Sequence, residues 1–163
     1  MTQRTVAAIR LSIATCCLIA AATGSAEVKL ENTVMKVEAG VNERGVAQRH
    51  LVDADNVVPG DELRYTILFN NEGTEVVDAR SIVITNPIPP DTEYLDGTAS
   101  GAQTEIVFSV DGATFARPEE LTVVEDNREV RASAEDYRII RWTFQPALAP
   151  GESSDVSFNV LLH

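Results

Sequence analysis

The chain has 163 residues, with 13 Lys plus Arg against 25 Asp plus Glu, so its formal net charge is −12. A surface this acidic repels nucleic acids and anionic membranes, which argues against both classes of partner. Apolar residues make up 44% of the chain, too many for a disordered protein and enough for one folded core.

The first 26 residues have the composition of a signal peptide. Arg4 and Arg10 flank a positively charged start, an apolar stretch follows at 11–22, and positions 24–26 hold the small residues that signal peptidase selects. The apolar stretch is shorter than the ~20 residues that cross a bilayer, which argues against a retained membrane helix. We predict cleavage after Ala26 and a periplasmic or secreted domain that is not inserted in a membrane. Its net charge would be −14, because the segment removes two basic residues and no acidic one.

Both cysteines of the chain, Cys16 and Cys17, lie inside this predicted signal peptide. A lipid-modified cysteine is expected at the end of the apolar stretch, and Cys16 comes only six positions after Arg10. We therefore predict a mature domain without a disulfide, a thiol nucleophile or a Cys metal ligand.

The remaining chain alternates apolar and polar residues with period 2 and shows no sustained helical period, which predicts an all-β domain. The clearest strand is Glu62–Asn70, and the alternating segments Ile139–Phe144 and Val156–Leu162 are interpreted as a second strand pair. Weaker candidates are Val28–Glu38, Val76–Thr85, Glu105–Val110 and Leu121–Val124. One core between two sheets is predicted to hold Leu63, Tyr65, Ile67, Phe69, Trp142, Phe144, Val156, Phe158 and Val160.

Turn-forming residues separate these strands. Two Pro-Gly-acidic turns, at 59–61 and 150–152, are predicted to open strands, and the turn at 70–73 to close one. Prolines at 87, 89 and 90 exclude a central strand there, so this segment is predicted to cross between sheets or to form an edge. The charged segment 117–136 is predicted to be a surface hairpin or long loop and the main variable contact surface.

Several short motifs occur in a fixed order: VPGDELRYTI at 58–67, NNEG at 70–73, ITNPIP at 84–89, TEY at 92–94 and LAPGE at 148–152. Together they resemble the bacterial conserved-repeat domain called domain of unknown function eleven, over most of residues 52–163. The resemblance implies an immunoglobulin-like antiparallel β-sandwich in an exported or cell-surface protein. Residues 27–51 would then be an N-terminal strand extension.

The residues do not form a recognisable catalytic motif. The only histidines are His50 and His163, and a triad of His50 with Asp53 or Asp55 lacks a Gly-x-Ser-x-Gly elbow. Acidic pairs such as Glu119-Glu120 and Glu125-Asp126 are typical of solvated surface segments. We predict a non-enzymatic module that acts by contact with a protein partner at the cell envelope. A small exported hydrolase built on carboxylates is the alternative.

Three further features are a possible calcium site, a structural turn and a tryptophan. Asp53, Asp55 and Asp61 offer oxygen ligands that could hold Ca²⁺, which would make the domain a calcium-stabilised adhesive module; they lack the twelve-residue loop with its Gly and terminal Glu. The segment 109–115 is similar to the Asp-box hairpin of β proteins and predicts a structural turn. Trp142 is predicted to lie in the core and not to stack on a sugar. No cofactor is predicted.

Overall fold

The structure is a computed structural model that describes residues 25–163, so most of the predicted signal peptide, with both cysteines, lies outside it. Within the described residues the only helices are two single 3₁₀ turns, Pro118–Glu120 and Ala134–Asp136. In this part of the chain, none is long and apolar enough to span a bilayer.

Eleven strands form antiparallel sheets, as the alternation predicted. The strands are β1 Val28–Val41, β2 Ala47–Asp53, β3 Glu62–Asn71, β4 Val83–Pro87, β5 Thr92–Tyr94, β6 Ser100–Gly101, β7 Thr104–Ser109, β8 Thr122–Glu125, β9 Arg128–Arg131, β10 Ile139–Phe144 and β11 Ser153–Leu162. A large sheet has the order β2-β1-β3-β11-β5, with β6 also on β11. A smaller sheet has the order β4-β10-β7, and β8 and β9 form a separate hairpin.

The two sheets enclose one core made of aromatic and branched side chains. Trp142 of β10 lies 5.9 Å from Phe158 of β11 between ring centroids, and Phe144 lies 5.2 Å from Phe69 of β3. Eight of the nine predicted core residues are buried. The ninth, Tyr65, is half-buried and stacks on Phe158 at 5.1 Å. An all-β sandwich is therefore confirmed.

The predicted pairing of the last two strands is wrong. β10 lies between β4 and β7 in the small sheet, whereas β11 lies between β3 and β5 in the large sheet. The segment between them crosses from one sheet to the other, and buried Leu148 fixes the crossing by pairing with Val77. Alternation identified which face of each strand is buried, but it carries no information on the neighbouring strand.

The two Pro-Gly-acidic turns have the same structure. The amide of Val58 donates to the Asp61 carboxylate at 2.9 Å, and the amide of Ala149 donates to the Glu152 carboxylate at 2.9 Å. In both turns a glycine adopts positive φ, at +94° for Gly60 and +76° for Gly151. These turns open β3 and β11, as predicted, and the acidic residue closes each turn.

The proline-rich segment is an edge, as predicted. β4 ends at Pro87 and pairs only with β10, after which the chain passes to β5 in the other sheet. The hairpin prediction for 117–136 is also confirmed, because β8 and β9 pair through this segment. The segment 76–85 is extended only from Val83 onward.

Candidate contact surface

The central strand β3 has two long neighbours in the large sheet, β11 on one side and β1 on the other. β11 is buried on both faces from Val156 to Val160, whereas β1 has no fully buried residue. A strand that pairs along its length but buries neither face is free to make further contacts.

The small sheet does not cover β1. Its strands lie over β3, β11 and β5, as the Phe69–Phe144, Trp142–Phe158 and Tyr94–Phe108 ring contacts show. In β1, Leu30 and Val34 pair with Phe69 and Tyr65 and so share their inner face. Leu30 is nevertheless 51% exposed and Val34 is 36% exposed. The large sheet is wider than the small one, and its inner face is therefore open along β1.

The first half of β1 is also open at its side. β2 pairs with β1 only from Met35 to Val41, so Val28–Val34 has no strand partner opposite β3 among residues 25–163. We call this side of Val28–Val34 the open edge. Backbone groups at such an edge can hydrogen bond to an additional strand. Lys29, Glu31 and Thr33 line its outer face, and Leu30 and Val34 its inner face.

Contacts from the turn that follows β3 hold the beginning of β1 in an extended conformation. The amide of Glu72 donates to the Glu27 carbonyl at 2.8 Å, and the amide of Thr74 donates to the Ser25 carbonyl at 3.0 Å. Lys29 forms ion pairs with Glu31 at 3.0 Å and Glu72 at 3.2 Å. Hydrogen bonds of the Lys29 ammonium with the Glu31 and Glu72 carboxylates, together with their negative charges, raise the pKa of Lys29. The open edge is thus already in the geometry that a further strand requires.

A second set of contacts fixes the far half of β1 and its hairpin with β2. Lys36 pairs with Asp61 at 2.9 Å, and Arg49 of β2 pairs with Glu62 of β3. The His50 imidazole lies against Gly40 of β1, where any Cβ would collide with it. His50 therefore has a packing role here, and it stands across from Glu38 in the hairpin.

The carboxylates considered for calcium have different surroundings. Asp61 accepts the Val58 amide and pairs with Lys36, and these contacts lower its pKa. Asp53 pairs with Met35 in the β1–β2 ladder, and exposed Asp55 lies in the following bend. Across residues 25–163, no three acidic, histidine or cysteine side chains are arranged to hold a metal ion. The structure does not bring the three predicted oxygen donors together.

The remaining candidate residues for catalysis are dispersed. His163 lies 3.6 Å from Glu93 in an open pocket of about 350 Å³ that Thr92, Glu135 and Arg138 also line. Ser153 and Ser154 line another open pocket, of about 390 Å³, with Gln103 and Glu152. Neither pocket combines a serine with a histidine.

The Asp-box-like segment is a structural turn, as predicted. Asp111 accepts hydrogen bonds from the amides of Thr114 and Ala113 and from the Ser109 hydroxyl. These bonds, with the Thr114 amide first, hold the pKa of Asp111 well below its ordinary value. Trp142 is fully buried, as also predicted.

The β8–β9 hairpin, in the segment predicted to be the contact surface, also exposes an apolar side chain. Its base is anchored by buried Leu121 and Ala132, which are joined by a backbone hydrogen bond of 2.9 Å. Asp126 and Asn127 form its turn with positive φ, and Val124 is 76% exposed. Unlike the open edge, both strands of this hairpin pair with each other. Each of its two strands has an unpaired side of four residues, shorter than the seven-residue open edge.

The sequence did not predict β2 or the open edge. The sequence does contain a signal for the turn before β2, namely Asn42 followed three residues later by Gly45. In the structure the Asn42 side chain accepts the amides of Arg44 and Val46, and Gly45 adopts positive φ. The open edge has no local signal, since it depends on how far β2 and the small sheet extend. No family model, curated protein or solved structure matches this chain.

Proposed function

We propose that this chain is an exported, non-enzymatic module of the immunoglobulin-like conserved-repeat type, which acts by protein–protein contact in assembly at the cell envelope or outside the cell. The observation that carries the proposal is the open edge, the unpaired side of Val28–Val34. The motifs of residues 52–163 and the apolar run at 11–22 support the family and the export.

Strand addition is the mode of contact that suits this surface. An extended segment of a partner would hydrogen bond to the free backbone of β1 and place alternate side chains beside Leu30 and Val34. The edge is held straight by the Glu27 and Lys29 contacts, so little conformational entropy is lost on binding. Long exposed edges are usually blocked in monomeric proteins, and this one is blocked only by the charges of Lys29 and Glu31.

The test is to capture envelope proteins with three forms of the chain. Leu30→Lys places a charge on the inner face of the open edge, a change that blocks strand addition. Val124→Lys is the matched control, because it makes the same kind of change on the exposed β8–β9 hairpin. We expect Leu30→Lys to lose specific capture and Val124→Lys to retain it.

Other outcomes would redirect or overturn the proposal. Loss of capture with Val124→Lys alone would move the contact to the segment 117–136. The hydrolase alternative would be established if the chain turned over glycoside or ester substrates and lost this activity when one carboxylate, such as Glu93 or Glu152, was mutated. Thermal melts of each variant check that the fold is retained.

A further inference from the structure

The open edge has a charge pattern that is complementary to itself. The chain contains two lysines, Lys29 and Lys36, and both lie in β1. Lys29 and Glu31 lie on the same outer face of the open edge, on either side of Leu30. In an antiparallel pair of identical strands centred on Leu30, each Lys29 stands opposite Glu31 of the other copy. The same register places the two Leu30 side chains opposite each other on the inner face.

Neighbouring registers are unfavourable. Paired residues of an antiparallel pair point to the same face of the sheet. If both inner faces are to lie on one side, the twofold axis must therefore pass between the two copies of a single residue, which pairs with itself. An axis at Glu31 would oppose Glu31 to itself, and an axis at Lys29 would oppose Lys29 to itself. Like charges directly opposite each other destabilise a strand pair, whereas opposite charges stabilise it. An axis at Val28 would oppose Lys29 to Glu27, but in a chain that begins at Glu27 it pairs only residues 27–29, whereas an axis at Leu30 pairs residues 27–33. Leu30 is therefore the favoured centre.

The length of the open edge fits this register. β2 occupies the side of β1 from Met35 onward, so the last free residue is Val34. With the axis at Leu30, Glu27, the first residue of the predicted mature chain, pairs with Thr33 of the second copy, and Val28 pairs with Asn32. The beginning of β1 in one copy then runs up to the end of β2 in the other, and each Asp53 marks the limit of the paired region.

We propose that two copies of this chain associate through their open edges, antiparallel and centred on Leu30, to form one continuous sheet. This inference rests on the proposed function and names its partner as a second copy. Ordinary repulsion between two acidic chains opposes the dimer, and the two crossed Lys29–Glu31 pairs neutralise it where the strands meet. Contact between the Leu30 side chains removes exposed apolar surface from water.

A charge-swap series with the full chain tests the register. Lys29→Glu alone opposes acidic residues at both crossed pairs, and Glu31→Lys alone opposes basic residues. Sedimentation velocity over a concentration series should show self-association weakened by at least about tenfold in each variant. A one-to-one mixture of the two variants restores every opposite pair between the strands, although the Lys29→Glu copy still lacks its own Lys29–Glu72 ion pair. The mixture should therefore form a heterodimer more tightly than either variant forms a homodimer. The chain with both changes should form a homodimer again.

Cysteine cross-linking gives a direct geometric readout in a chain with Cys16→Ser and Cys17→Ser. Cys at position 30 would face itself across the axis, within the range that a disulfide can bridge after small adjustment. Leu30→Cys should therefore form a disulfide-linked dimer on oxidation. Thr33→Cys is the matched control, because in this register the two positions 33 are six residues apart along the strands, roughly 20 Å.

The outcomes separate this inference from the proposed function. A monomer at all concentrations that still captures an envelope protein in a Leu30-dependent way would overturn the dimer and leave strand addition by another partner standing. Dimers that persist in both single charge variants, or Thr33→Cys cross-linking as fast as Leu30→Cys, would overturn the register. A monomer without any edge-dependent capture would overturn both proposals.

Discussion

β11 and β1 flank the same strand, β3, and both pair with it over most of its length, yet their surroundings are opposite. The inner face of β11 packs under the small sheet through Val156, Phe158 and Val160. Its outer face is also covered, because the Ser157 hydroxyl meets Ser100 at 2.9 Å and Arg64 at 2.8 Å. β1 has no fully buried residue: Val28 packs partly against the core, and the rest of the strand is held mainly by its ladders and by ion pairs.

The difference shows that strand pairing and burial are separate contributions in this fold. β11 contributes to stability through apolar surface removed from water, and such burial scales with area. β1 is attached through hydrogen bonds and exposed charges, which contribute little each. The strand that stabilises the domain and the strand that remains available for contact are therefore different strands of the same sheet.

The largest expected effect is that of removing an aromatic ring from β11. Phe158 is fully buried and contacts both Tyr65 and Trp142, so Phe158→Ala leaves a cavity between the sheets. We expect a loss of about 3–5 kcal/mol in the free energy of unfolding, measured by urea denaturation. A loss under about 1 kcal/mol would mean that β11 is no better covered than β1 and would break the comparison.

A smaller effect is expected at Asn71, where the end of β3 meets the beginning of β1. Its buried side chain donates to the carbonyls of Glu75 and Leu148 and accepts the Gly73 amide. Asn71→Ala removes the partner of the Glu75 carbonyl and the Gly73 amide, whereas the Leu148 carbonyl still accepts the Val77 amide. We expect a loss of roughly 1–3 kcal/mol in the free energy of unfolding.

Asn70→Ala is the matched control for that change. The Oδ1 atom of Asn70 is buried and has no hydrogen-bond partner in the part of the chain described. Removing this amide should cost less than removing that of Asn71 in the same urea experiment. Equal losses would contradict the role assigned to the Asn71 hydrogen bonds.

A pH-dependent effect is expected where an ion pair holds β1 to the rest of the sheet. The Val58 amide, followed by the Lys36 ammonium, lowers the pKa of Asp61 in the folded protein. Because the folded pKa lies below the unfolded one, the stabilisation is complete above the unfolded pKa and is lost as pH falls through the folded pKa.

The corresponding experiment compares Asp61→Asn with the unmodified chain in urea between neutral and acidic pH. The variant should have the lower midpoint near neutrality, and the two midpoints should converge as the pH falls through the lowered pKa of folded Asp61 and its carboxylate becomes protonated. Glu125→Gln, at the end of β8, makes the same change in charge away from β1 and serves as control. A difference between Asp61→Asn and the parent that persists at acid pH would contradict the ionic role.

The sequence was sufficient for the core but not for the open edge. Alternation from Leu63 to Phe69 and from Val156 to Val160 identified the buried faces, because a strand with one buried face repeats with period 2. Leu30 and Val34 lie on the same inner face and yet are not covered. Coverage depends on the width of the opposing sheet, which is set by strands distant in the sequence. The sheet to which β10 belongs is also set by distant strands, and its assignment was therefore wrong.

The smallest effect is expected for the same kind of truncation on β1. Leu30 is half-exposed over the uncovered inner face, so Leu30→Ala removes few contacts and leaves no closed cavity. We expect a change of about 0.5 kcal/mol or less in the free energy of unfolding of the monomer, against several for Phe158→Ala.

This measurement is made in the Lys29→Glu chain, in which self-association should be weak, so that dimer dissociation does not enter the unfolding free energy. In the parent chain at high concentration the same truncation should lower the stability more, because Leu30 then also contacts its counterpart. A Leu30→Ala loss above about 2 kcal/mol in the monomeric background would mean that some part of the chain covers the inner face of β1 in solution, and this would contradict the contrast between β1 and β11.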